Sequence, residues 1–163
     1  MILGIDPGAS GALALLDPDT HEVAEVWDMP THTIKVAGRD RKTLDTHQLA
    51  AIVRDVRGQV GYAVLEEVSS MPKQGVASTF AFGRASMAPE MALAALQIPY
   101  QLVRPNVWKR IMKVSGDKDE ARRRASQIMP GSARHWPRKQ DDGRAEAALL
   151  AAYGLKTTGK GLF

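Results

Sequence analysis

The sequence predicts one mixed α/β domain, a five-stranded sheet flanked by helices. Three observations predict it. Residues 1–6 are apolar on both parities, the pattern of a central strand covered on both faces. Two further extended runs, GALALL over 11–16 and EVAEVWDM over 22–29, complete a three-stranded antiparallel meander. Strand-like runs at 61–68 and 98–103 then alternate with helical stretches, the order that builds strands with helices on their faces.

Taken in order, Asp6-Pro7-Gly8 ends the first strand in a turn. Pro30 to Lys42 is polar and basic, contains Gly38, and reads as a loop. Asp45 or Thr46 caps a helix with Leu49, Ile52, Val53 and Val56 at core spacing, stopping near Gly58. GYAVLEEV over 61–68 is a buried strand ending in two glutamates, and Ser69 to Gly75 is a loop. Val76 to Gln97 is an Ala- and Met-rich helix that Pro89 kinks or divides. Pro105 suits the first turn of a helix carrying Val107, Trp108, Ile111 and Met112. Asp117 or Asp119 opens a basic helix ending before Pro130, and a basic loop with Trp136 follows. The last helix starts at Asp141 or Asp142, either of which suits its cap. Residues 1–155 form the domain, and 156–163 are expected to be a flexible tail.

Composition narrows the chemistry. With no cysteine, disulfides and thiolate zinc sites are excluded. His21, His32, His47 and His135 show no ligand spacing, so a metal would be held by oxygen, which points to magnesium or manganese. No apolar run approaches the roughly 20 residues of a membrane span, and the N-terminus lacks the basic segment of a signal peptide. The expectation is a soluble cytoplasmic protein with no membrane partner. Charge is uneven: residues 1–80 hold 7 Lys/Arg against 11 Asp/Glu, residues 81–163 hold 15 against 7. A basic C-terminal half points to a polyanionic partner or to a well-solvated surface.

The last helix carries the sharpest signal. Asp142, Glu146, Leu149, Leu150 and Tyr153 share one face, so two carboxylates head the apolar stripe. A lone buried carboxylate is too costly; such acids are paired, protonated or metal-bound. Asp6 ends the first strand and Glu66-Glu67 the fourth; if these strands are neighbours and the last helix packs over them, four carboxylates converge. Clustered carboxylates raise each other's pKa unless cations neutralise them. Two divalent ions about 4 Å apart on such a cluster serve displacement at phosphorus. Each acid also has a plainer reading. Asp6 suits a turn, Glu66-Glu67 suits a strand end, and Asp141-Asp142 suits a helix cap. Parity puts only one of Glu66 and Glu67 on a given face, without saying which.

Together, ILGIDPG, LEEV and DDGRAEAALLAA resemble the RuvC-type Holliday junction resolvases. MPKQGVASTFAFGRA, VRPNVWKR and DKDEARRRA resemble the phage-type members of that family, and the resemblance runs from Met1 to about Tyr153. It implies an RNase H-like nuclease domain, a homodimer, and paired nicks in four-way DNA junctions with two Mg2+ ions per site, Mn2+ substituting. By position, it makes Asp6, Glu66, Asp142 and Glu146 the catalytic and metal-binding acids. The helix acids are four apart here, where the family usually has two Asp three apart, so Asp141 stays open as a ligand. Lys109 and Lys118 match basic residues expected near the scissile phosphate or DNA backbone. Where the family carries a base-wedging aromatic, this chain has Ser69, then Met71.

Around the acids, Arg84, Arg110, Arg122, Arg138 and Lys139 are the remaining DNA-binding candidates, a cationic rim that attracts phosphates. Trp108 reads as core; Trp136 reads either as core or as a stacking platform for a base. Arg39-Asp40-Arg41-Lys42 reads either as a second DNA arm or as an exposed loop. The expected function is a structure-selective DNA endonuclease. The alternatives are an RNase H-like or RNA-processing nuclease and a non-catalytic branched-DNA-binding protein.

Overall fold

The structure, a computed structural model, describes residues 1–36, 38–69, 75–115 and 118–158. Five strands form the main sheet: β1 (Ile2–Asp6), β2 (Ala12–Leu16), β3 (Val23–Asp28), β6 (Tyr62–Glu66) and β7 (Tyr100–Val103). Their order is β3-β2-β1-β6-β7. The meander pairs antiparallel, whereas β6 runs parallel to β1 and β7 parallel to β6. The expected mixed five-stranded sheet is therefore present, with the first and fourth sheet strands side by side.

Alternation along β1 sorts the core into two layers. Leu3 and Ile5 pack with Leu13, Leu15, Ala63 and Leu65 beneath α1 (Thr46–Val56) and the end of α2 (Val76–Ala95). Ile2, Ala12, Ala14 and Val64 face the other way, toward α3 (Pro105–Met112), α4 (Lys118–Ile128) and α5 (Asp142–Thr157). Asp45 caps α1, its carboxylate accepting from the Gln48 N–H.

α5 lies closest to the sheet. Its Leu149, Leu150 and Tyr153 are buried as the stripe requires, but so are Ala147, Ala148, Ala151 and Ala152. The helix is thus enclosed on all sides rather than amphipathic, and its alanines allow close packing between sheet and flanking helices. Contact at β1 requires glycine: a Cβ on Gly4 would stand 2.0 Å from the Ala147 carbonyl oxygen. The helix runs to Thr157, past the expected start of the tail; residues 159–163 lie outside the described residues.

One local expectation is corrected and two are narrowed. Residues 30–42 are not a loop: β4 (Thr31–Val36) and β5 (Arg39–Leu44) form a separate two-stranded antiparallel sheet. Cross-strand hydrogen bonds can pair a polar strand as well as an apolar one, so the apolar-run test missed it. Pro89 sits inside an undivided α2. The loop before α5 contains two 3-10 turns, Pro130–His135 and Lys139–Asp141. Trp136, between them, is 2% exposed, and its indole N–H donates to Ser126 Oγ at 2.9 Å. It is therefore a packing residue, not an open stacking platform.

Candidate active site

β1 and β6 end together, parallel and adjacent, beside α5. Parity decides what they present. Ile2, Gly4 and Asp6 share the α5 side of β1, and Tyr62, Val64 and Glu66 share that side of β6. Glu67, one residue past β6, instead accepts from Arg104 at 3.2 Å. Gly143 lets α5 approach from above: a Cβ there would stand 2.3 Å from the Ser10 carbonyl oxygen in the β1–β2 turn. Asp142 thus opens α5 against that turn, with Glu146 one helical turn further on.

Around Asp6 the structure gathers Glu66, Glu146 and Lys109. Burial, then the charges of Glu146 and Glu66, pushes the Asp6 carboxyl from 3.8 up to about 7, against the opposing Gly8 N–H and Lys109. The Gly8 N–H donates to Asp6 Oδ1 at 3.3 Å. Burial also raises the Glu66 carboxyl; the Trp108 indole opposes this, Glu146 adds to it, and Lys109 opposes it. Trp108 Nε1 donates to Glu66 Oε1 at 2.8 Å, and Lys109 Nζ donates to Glu146 Oε1 at 2.8 Å. The same ammonium lies 5.1 Å from the Trp108 ring centre. One turn of α3 thus supplies the hydrogen-bond donor for one acid and the counterion for another.

The other candidates fall in varied places. Asp141 is 3% exposed and held by Arg138 through both side-chain oxygens, at 2.8 to 3.2 Å. That guanidinium, before any other cause, keeps the Asp141 carboxyl below the usual range. Asp141 and Arg138 therefore form a clamp at the entry to α5. Arg122 bonds Asp119 at 2.7 Å, and Lys139 approaches the same carboxylate at 4.0 Å. Arg84 and Arg110 are exposed. Lys118 opens α4, and Met71 lies outside the described residues. The role that sequence reading missed is Trp108, fully buried as a core residue yet also a donor to an acid. The signal was present: Trp108 directly precedes Lys109, and buried indoles need an acceptor.

The donors meeting here are all carboxylate oxygens, which suits a hard divalent cation. Among the described residues, no three His, Asp or Glu side chains are placed together so as to hold a metal ion. Glu146 is turned to Lys109, whose ammonium supplies the opposing charge.

The same arrangement of sheet and helices occurs in T. thermophilus RuvC in complex with a Holliday junction substrate. The match has a TM-score of 0.65 and 17% identity over 98% of this chain and 96% of that one. The chain has the RuvC fold. A second Thermus thermophilus RuvC structure matches at a TM-score of 0.60 and 17% identity, over 96% and 95% of the two chains. No family profile matches the sequence, and no curated protein sequence aligns with it significantly. The RNase H-like architecture, a mixed sheet between two helical layers, is therefore present at low sequence identity.

Proposed function

We propose that this protein is a divalent-metal-dependent DNA endonuclease that cuts four-way junctions by paired nicks. The observation that carries the reading is the Asp6 carboxyl, half-buried beside Glu66 and Glu146 and raised to about 7 at the strand ends of a RuvC fold. A structural acid would find one strong cationic partner, as Asp141 does in Arg138. Asp6 instead faces two further acids, and Lys109 is bonded to Glu146. Such a site carries excess negative charge, and a divalent cation neutralises it more fully than a proton.

Asp6, Glu66, Asp142 and Glu146 would hold magnesium or manganese, two ions by analogy with other carboxylate nucleases. Bound there, the metal supplies charge that activates water and stabilises the departing 3′ oxygen during phosphodiester hydrolysis. The chain's own residues do the rest. Trp108 fixes Oε1 of Glu66 and leaves Oε2 for another partner. Lys109 is available to the scissile phosphate once Glu146 takes another partner. Arg110, Lys118 and the exposed cations of α2 and α4 attract the DNA backbone.

The paired-nick reading also implies a homodimer. Phe80, Met87 and Met91 are 69%, 47% and 56% exposed. They lie at i, i+7 and i+11 on α2 and form one exposed apolar stripe along that helix. Exposed Arg84 falls on the same face.

The test is cleavage with Mg2+ of a four-way junction, a linear duplex and an RNA–DNA hybrid, by wild type and Asp6→Asn. Paired nicks in the junction, absent in the variant, are expected. Cutting of hybrid or duplex in preference to the junction would replace the substrate. Junction binding without cutting by wild type would make the protein a binding module.

A further inference from the structure

The β4–β5 hairpin is the unexpected element of the fold. A lone two-stranded sheet is only marginally stable in water and has to be held by its surroundings. Here the base is closed by the Asp45 N–H donating to the Pro30 carbonyl at 2.8 Å, and Leu44 packs on the core. Every residue from His32 to Val36 is exposed, and Ile34 and Val36 are 38% and 44% exposed.

Charge is concentrated on it. Lys35, Arg39, Arg41 and Lys42 are four of the 7 Lys/Arg in residues 1–80, a half that is otherwise acidic. The register pairs Ile34 with Arg41 and Val36 with Arg39, and on the opposite face Thr33 with Lys42 and Lys35 with Asp40. Both faces of the ribbon therefore carry cations. None of the four makes a side-chain ion pair with any described residue. Arg104, Arg122, Arg123, Arg138 and Arg144 are, by contrast, each bonded to a carboxylate. A cluster of uncommitted like charges repels itself, so it is stabilised by a polyanion from outside.

Its position identifies the polyanion. Arg41 and Lys42 line a cleft of about 210 Å³ together with Pro7 and Ala9, in the turn after Asp6, and Phe82 and Ala85 of α2. The cationic ribbon thus borders the acid-bearing end of β1. A two-stranded ribbon with positive charge on both faces suits the space between two phosphate backbones.

We infer that the β4–β5 hairpin is a DNA arm whose Lys35, Arg39, Arg41 and Lys42 contact backbone phosphates flanking the strand held at Asp6. This rests on the nuclease reading above. The arm makes no sequence-reading contacts; it adds affinity and fixes the strand's approach.

The test is fluorescence anisotropy with the full chain and a labelled four-way junction, without divalent metal, over a series of NaCl concentrations. Wild type is compared with the quadruple variant Lys35→Gln/Arg39→Gln/Arg41→Gln/Lys42→Gln and with Arg54→Gln on α1. Each phosphate contact contributes about 0.9 to the slope of log affinity against log salt. The quadruple variant is expected to lose about 2 to 4 from that slope and at least about tenfold in affinity. Arg54→Gln is expected to keep the wild-type slope. The double variants Lys35→Gln/Lys42→Gln and Arg39→Gln/Arg41→Gln each take part of the loss, which keeps the test decisive should the quadruple variant misfold. An unchanged slope in folded variants of a protein that binds and cuts junctions overturns the arm alone. Wild type that neither binds nor cuts nucleic acid overturns the nuclease reading and the arm with it. Variants that lose binding to phosphatidylserine vesicles but keep full junction affinity assign the ribbon to lipid and overturn the inference.

Discussion

Trp108 donates its indole N–H to Glu66 Oε1 at 2.8 Å from a fully buried position. The bond holds one carboxylate oxygen, the task that the proposed role of Glu66 as a metal ligand would require of a neighbour. Trp108→Phe keeps an aromatic ring in the core and removes the donor. The concentration of Mg2+ needed for half-maximal cleavage is expected to rise about tenfold or more. Calorimetric titration with Mn2+ on uncut protein should show the same weakening. Equal affinity in both proteins would reduce Trp108 to a packing residue.

Asp6 makes metal-free stability depend on pH. Its folded pKa, about 7, lies above the ordinary 3.8. The stability linked to its protonated form is fully present below pH 4 and is lost as pH rises through about 7. Three units correspond to at most about 4 kcal/mol, or roughly 10 °C in melting temperature. In EDTA, Asp6→Asn should therefore melt higher than wild type at pH 8, with the gap narrowing toward pH 4. Mg2+ should raise the melting temperature of wild type at pH 8 and have little effect on the variant. Glu66→Gln and Asp142→Asn, like Asp6→Asn, should abolish cleavage while junction binding survives. A melting temperature of Asp6→Asn below wild type at pH 8 would identify Asp6 as a structural acid.

How much of this was legible depended on whether burial or pairing decides the structure. β1, β2 and β6 are covered on both faces, so their apolar runs announced them. The same periodicity put Asp142 and Glu146 on one face of α5. The β4–β5 hairpin has no such signal, because cross-strand hydrogen bonds hold it and its side chains are solvated. Periodicity likewise described α5 as half-exposed. It is enclosed because α3 and α4 fold over it, a consequence of packing between distant segments. Neither Glu66 nor Asp141 was decided by composition. The register of β1 with β6 turns Glu66 toward α5, and a four-bond clamp by Arg138 occupies Asp141.

The α2 stripe gives a prediction about assembly. Two exposed methionines and a phenylalanine on one helix face cost little if a second copy covers them. Sedimentation of wild type should give twice the 17.7 kDa chain mass, and Met87→Glu/Met91→Glu should give one chain mass. The charged variant should also lose paired nicking, with single nicks persisting. A wild-type monomer at micromolar concentration would separate the apolar stripe from dimer formation.

Gly143 joins the fold to the site. A side-chain methyl there would overlap the Ser10 carbonyl at 2.3 Å and the Gly11 Cα at 2.9 Å, both backbone atoms of the turn after Asp6. Backbone cannot move aside as a flexible side chain can, so the start of α5 must lift. Glu146 would then draw away from Asp6, while the alanine-rich remainder of α5 stays buried in the core. Gly143→Ala is therefore expected to cost roughly 1–3 kcal/mol of stability and at least about a hundredfold in cleavage rate. Because Glu146 raises the proton affinity of Asp6, the variant should also show a weaker pH dependence of metal-free melting than wild type. Cleavage and melting both unchanged would mean that the close approach of α5 to the β1–β2 turn is not what assembles the acids.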